Sequence, residues 1–473
     1  MPNRPGNQNA KISLMFKKKM APVVWAVISF KGLTAPRLGK SPISLDYWRL
    51  KLATNLASYF HLGFFRSEEL ETAVELLANR IAEQYKSSLS RPKAKAGGTL
   101  HIVSKAYASG GHTRVLERWI ESSDPNVMTH SILLTRDQNI PKTLNSVTNL
   151  TSITIIPGKG LSHVLELASQ FLSFESLVGH IHPNDVDAVL AFHIFKQMQN
   201  FGRVALFNHA DHRFWLGVNT ADVILEFRSF GQALTKLERL SDKSVIVGLP
   251  FPSSPKIQSS SSQDFRTDVF TLITVGRGHK YSRVPGEPSF EDFVDRLLGS
   301  NPNFNLTIVG PSRWSRLTRF HFVNRKRIQF LGTKSLQFLQ GLYSQHHVGI
   351  DSFPMAGATV ATEMSLSNLP VVSLRGAVGL VDSLPRENWF VAENYEDWEK
   401  SVIKALELSH ANKVKAEVKP IQQRWGAKVD ALLISTPRPK VSATIDQISV
   451  NRLEAFLWAT EPRLKNILSG RVL

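Results

Sequence analysis

Three stretches of the 473-residue sequence place glycines, fixed cations and imidazoles directly after runs with the character of buried strands. The first, Ala106–Arg114 (AYASGGHTR), carries Gly110 and Gly111 ahead of a helix opening near Thr113. Paired glycines let the chain turn tightly and let a ligand approach backbone amides, and a helix start carries about half a positive charge suited to phosphate. His112 and Arg114 add donors, although a plain structural turn capped by Thr113 would use the same residues. The second, Val275–Tyr281 (VGRGHKY), bares backbone at Gly276 and offers Arg277 and Lys280 to a diphosphate; the alternative is a surface loop with solvated charges. In the third, Gly349–Met364, a strand ends in Asp351 and a small-residue loop leads into a helix. There Gly357, Ala358 and Thr359 would aim amides and a hydroxyl at a phosphate. Glu363, one turn on, would reach a ribose diol or else complement the helix dipole. Proton transfer needs a base, and the candidates are His112 and the cluster Asn208–Arg213 (NHADHR), chiefly His209 and Asp211. A metal site or a polar turn is the competing use of that cluster. None of these loops is a G-x-G-x-x-G or a Walker loop, which argues against dehydrogenases and ATPases.

The elements needed to hold such loops together are short apolar strands alternating with helices, the pattern of a parallel, doubly wound sheet. Strands are expected at Thr99–Ser104, Met128–Thr135, Ser152–Ile156, Ala188–Phe192, Val204–Phe207, Val223–Phe227 and Ser244–Val247. After a Pro/Ser-rich stretch, others follow at Phe270–Val275, Asn305–Val309, Ile328–Leu331, Val348–Ile350 and Val371–Leu374. Two facing sheets leave a cleft at the carboxyl ends of their strands, where ligands bind. The spacing divides the chain into a basic, mostly helical region (1–95), a first Rossmann-like domain (96–250), a second (263–410) and a helical end (411–473). The last helix, near Val450–Ile467, is expected to cross back over the first domain.

The run Asp351–Leu374 (DSFPMAGATVATEMSLSNLPVVSL) resembles the donor-site signature of GT-B glycosyltransferases. In that family an acid-bearing strand, a small-residue loop, a Glu-containing helix and a Pro-Val-Val strand follow one another. The Asp-Ser-Phe-Pro start is similar to the branch holding O-GlcNAc transferase and bacterial protein glycosyltransferases. The resemblance spans about 99–410. It implies two Rossmann-like domains around a cleft and a UDP- or GDP-linked sugar as donor substrate, with no cofactor or metal. The diphosphate would lie between Arg277, Lys280 and the Gly357–Thr359 turn, with Glu363 near the ribose and the backbone of Phe330–Gly332 facing the base. The acceptor would be a surface polysaccharide, a lipid-linked glycan or a protein. One position departs: retaining members carry a second glutamate where this chain has Met355, which leaves the stereochemistry open.

Composition narrows the rest. With no cysteine, disulfides and thiolate chemistry are excluded. The net charge is +18, and residues 1–100 hold 16 Lys/Arg against 6 Asp/Glu, a basic arm able to contact nucleic acid, an anionic membrane surface or an anionic substrate. The transferase resemblance implies action on the cytoplasmic side, with that arm against an anionic membrane and no specific nucleic acid expected. The apolar run Met20–Phe30 is about half the ~20 residues a membrane span needs, and is read as a buried strand, with a membrane-surface anchor as the alternative. Two motifs carry competing chemistry. Asp185-Val186-Asp187 matches the D-x-D of metal-dependent transferases, and Arg325-Lys326-Arg327 is a basic turn within reach of a polyanion. Alternatives to transfer are a nucleotide-sugar epimerase and a non-catalytic nucleic-acid- or membrane-binding protein.

Overall fold

The computed structural model describes residues 41–59, 65–89, 95–107, 111–136, 139–199, 202–250, 269–284, 288–311, 322–375, 377, 380, 387–411, 425–426 and 429–433. The expected strand at Met20–Phe30, the helix near Val450–Ile467 and Gly110 lie outside these residues.

Two wholly parallel sheets form the frame. The first has seven strands, β1 (Lys95–Val103), β2 (Thr129–Leu134), β3 (Leu150–Ile155), β4 (Phe174–His180), β5 (Arg203–Phe207), β6 (Val223–Glu226) and β7 (Ser244–Ile246), in the order β3-β2-β1-β4-β5-β6-β7. The second has six, β8 (Phe270–Val275), β9 (Phe304–Val309), β10 (Ile328–Gly332), β11 (Val348–Ile350), β12 (Val371–Leu374) and β13 (Trp389–Ala392), in the order β10-β9-β8-β11-β12-β13. Helices connect the strands, so the fold is two Rossmann-like, doubly wound domains in the GT-B manner. In each sheet the order reverses once, between β1 and β4 and between β8 and β11, and ligand crevices open beyond the carboxyl ends of strands at such points.

One expected strand is a helix. Ala188–Phe192 lies inside helix Val186–Met198, and the strand of that βαβ unit is β4. The run is apolar all round because the helix is covered on every side: residues 188–195 are buried or nearly so, between the sheet and helix Glu68–Gln84. A fully buried helix and a buried strand share the same unbroken apolar pattern.

The basic first region docks through a helix pair, Ile43–Tyr59 and Glu68–Gln84. Glu71 on the second helix accepts the N–H groups of Gly217, Val218 and Asn219, tying that helix to a loop of the first domain. The chain does return to the first domain, but through 425–433: Trp425, Val429 and Leu433 pack with Val115, Trp119 and Phe207. A side chain at Gly426 would lie 2.2 Å from the Ser122 carbonyl, so this contact requires glycine. No helix among the described residues is long and apolar enough to cross a membrane.

Candidate active site

Helix Gly111–Ser122 follows β1, and helix Ala358–Leu366 follows β11; the two begin side by side. A Cβ on Gly111 would lie 3.0 Å from Thr359 Oγ1. One and two turns further on, Arg114 Nη1 donates to both oxygens of Glu363 (2.8 and 2.7 Å), and Arg118 donates to Oε1. The helices therefore run alongside each other with both positive ends at the same edge of the cleft. Juxtaposed positive ends repel, and an anion placed before them relieves that repulsion.

The β8 loop closes the same corner. Lys280 Nζ donates to the Ala356 carbonyl (2.8 Å), and the Lys280 carbonyl accepts Met355 N–H (3.2 Å). Burial pushes the Lys280 amine down; Asp351 opposes the shift and Arg277 adds to it. Asp351 fixes the turn beneath, accepting Gly357 N–H (2.6 Å) and the Ser373 hydroxyl (2.9 Å). The Gly357 amide is thus held by Asp351, and Ala358 and Thr359 are the first amides at this helix start. The loop after β8 also depends on Gly310, whose φ is +115° and whose Cβ would meet the Gly276 carbonyl at 2.0 Å. Only glycine allows both that dihedral and that approach. Arg277 is exposed at the cleft, close enough to His112 to lower the pKa of that ring.

The three base candidates separate. Asp211 is 1% exposed and held by Arg228, Nε to Oδ2 at 2.5 Å and Nη2 to Oδ1 at 3.0 Å. Although burial raises its pKa, Arg228 and His212 hold it below the ordinary carboxylate range. Its carboxylate is buried and engaged by Arg228 and His212. His112 is solvent-exposed yet walled by protein, and desolvation, aided by His182, His212 and Arg277, lowers it to about 4. His209 is half-buried, its ring stacked on His112 at 4.3 Å between centroids. Burial again comes first, with His112 and His180 adding to it, in holding His209 well below the imidazole range.

Glu363, expected near a ribose, is 5% exposed and paired with two arginines of the other domain. Sequence reasoning missed Arg118 altogether, and its one available signal is the i, i+4 spacing from Arg114. Met355, where retaining enzymes carry a glutamate, sits beside Lys280 through backbone pairing. The Gly332 carbonyl, at the end of β10, accepts Gly310 N–H.

Residues of both competing motifs are engaged in hydrogen bonds within the fold. Asp185 caps helix Val186–Met198 and accepts from Thr135, while Asp187 accepts from Tyr47, Lys51 and His163. Arg327 donates to the carbonyls of Leu298, Asn301 and Phe304 at the end of helix Phe290–Ser300.

No protein-family profile and no curated protein matches the sequence. Among solved structures, the chain is similar to a mutant O-GlcNAc transferase of Thermobaculum terrenum (15% identity, 97% of this chain and 88% of that one, TM-score 0.48). It is similar also to Anabaena HepE in complex with UDP-glucose (13%, 71% and 99%, 0.48). A third is UDP-GlcNAc 2-epimerase from Neisseria meningitidis bound to UDP-GlcNAc (12%, 72% and 99%, 0.44).

Proposed function

We propose that the chain is a glycosyltransferase that moves a sugar from a UDP- or GDP-linked donor to an acceptor hydroxyl on a glycan, lipid-linked glycan or protein. The observation that carries this reading is the pairing of two helix starts at Gly111 and Ala358 beside Lys280 and Arg277. Transfer from a nucleotide sugar leaves a diphosphate, and fixed positive ends aimed at that group stabilise the charge that develops as the glycosidic bond breaks.

His112 and His209 stand at the same corner and are the candidates there for the base. Burial, the first cause in each case, lowers His112 to about 4 and holds His209 well below the imidazole range, which weakens both as bases. A bound diphosphate engages Arg277 and adds negative charge beside His112, which raises the imidazole toward the working range. Base strength is in this way tied to the presence of donor. The basic first region would hold the enzyme against an anionic membrane.

Incubation with a panel of nucleotide sugars, with and without candidate acceptors, tests the proposal. Release of nucleoside diphosphate, accelerated by an acceptor, is the expected result. Conversion of the sugar without any acceptor would replace transfer by epimerisation, and no turnover or binding of any donor would refute the reading.

A further inference from the structure

Four histidines lie on one face of the first sheet: His130 on β2, His101 on β1, His180 at the end of β4, and His209 two residues beyond β5. Those strands are neighbours, and each step across the sheet climbs one pleat toward the carboxyl edge. His130 is level with Thr99, two residues before His101, and His180 is level with Val103, two residues after it. Two-residue steps keep the rings on one face, so they meet in sequence. His130 Nδ1 lies 2.9 Å from His101 Nε2, His101 Nδ1 lies 3.1 Å from His180 Nε2, and His180 Nδ1 lies 2.9 Å from His209 Nε2. The row starts in the core at His130, passes Trp119 at His101 and His180, and ends where His209 stacks on His112.

A neutral imidazole has one N–H and one lone pair. Since every link joins Nδ1 of one ring to Nε2 of the next, the row has only two ordered states, with all protons on Nδ1 or all on Nε2. The buried end chooses between them. His130 Nε2 is enclosed and has no hydrogen-bond partner among the described residues. It holds either a stranded N–H or a stranded lone pair, and buried orphan N–H groups are the rarer of the two in proteins. Protons on Nδ1 throughout leave only the lone pair stranded, and they put an N–H at the cleft end.

The geometry points to a division of labour at the site proposed above, on which this inference rests: His130, His101 and His180 are positioning residues that make His209 a fixed, uncharged N–H donor to a phosphoryl oxygen of the nucleotide diphosphate, and His112 is the base. The row does not carry protons. Loss of the His209 Nδ1 proton would leave an imidazolate, and gain of one would leave an imidazolium in a core where burial, the largest cause in each case, holds His101, His130 and His180 below the ordinary imidazole range. In the transfer step the acceptor hydroxyl gives its proton to His112 as its oxygen bonds to the anomeric carbon. The bond from that carbon to the diphosphate breaks with its electron pair on the phosphate, beside the His209 N–H.

Solid-state spectra of the full chain labelled with 15N-histidine, each ring assigned by its single substitution, report the tautomers without any need for turnover. Protons on Nδ1 in His101, His130, His180 and His209 are expected at neutral pH; a proton on Nε2 in any of the four, or an imidazolium among them, overturns the inference while leaving the transferase reading intact. Calorimetry with UDP supplies the second arm. His209→Leu should weaken binding about 10-fold or more, and His209→Asn, whose amide N–H replaces Nδ1–H, should bind within about threefold of the parent. Equal UDP affinity in the leucine variant, or loss of turnover in the asparagine variant with binding retained, would show that His209 is not the donor described.

Discussion

Replacing Glu363 with alanine should weaken the seam between the two domains before it affects any ligand. The carboxylate is 5% exposed and is shared by Arg114 and Arg118, whose side chains are 14% and 8% exposed. Removing the acid leaves two guanidiniums enclosed without a counter-charge, and breaking a buried pair in this way costs about 3–5 kcal/mol. For domains of this size that corresponds to a fall of roughly 6–20 °C in melting temperature. Thermal unfolding of the ligand-free chain is the assay. The loss should be largely recovered by Glu363→Leu combined with Arg114→Leu and Arg118→Met, because an apolar replacement of the whole cluster leaves no charge uncompensated. An unchanged melting temperature in Glu363→Ala, together with weaker UDP binding, would show that the carboxylate serves the ribose and would refute the seam.

Lys280→Ala should weaken UDP binding about 10-fold or more, since a charge-assisted contact is lost, with a smaller effect on unligated melting; equal losses in both would contradict the phosphate role. Gly111→Val should force the Thr359 side chain away and separate the two helix starts, lowering UDP affinity while leaving the melting temperature within a few degrees; unaltered UDP affinity would count against the paired helix ends. Stability should fall on acidification. Burial holds His112, His130, His193 and His279 at about 4 and His180 at about 3, below the ~6.5 of a free imidazole, so the unfolded chain takes up protons that the native chain refuses. The stabilisation is complete above about pH 6.5 and lost as pH falls through about 4. Glu226, raised to about 7 by burial, acts in the opposite sense, its contribution fading as pH rises from 4.5 to 7, as do Glu71, Glu117, Asp351, Asp430 and His163, also raised, but the lowered imidazoles, which include His101, His182, His209, His212 and His346, outnumber them. The urea midpoint should therefore drop between about pH 6.5 and 4.5, and His193→Leu should flatten that slope; a rise on acidification would refute the assignment.

The loops that carry chemistry were legible because a strand, a glycine turn and a helix start are adjacent in sequence. Val275–Tyr281 and Asp351–Glu363 each lie in one short segment, and β8, β11 and β12 fell where apolar runs put them. What was not legible is what parallel pairing brings together over long distances. Glu363 meets arginines 245 and 249 residues away. His101 and His180 touch across 79 residues, and nothing in TLHIVS or MTHSILLT distinguishes a ring in a row from an isolated core histidine. Asp211 was a credible base until Arg228, 17 residues on, proved to hold it. The misassigned strand at Ala188–Phe192 failed because a helix buried on all faces loses the 3.6-residue alternation that would identify it.

The most direct test is calorimetric titration of the chain with UDP and GDP, with uridine and guanosine as controls. A diphosphate should bind, its phosphates supplying most of the affinity, and saturation to 100 times its dissociation constant should add about 2.7 kcal/mol to stability. If neither diphosphate binds more tightly than its nucleoside, the two helix starts and Lys280 do not form a pyrophosphate grip.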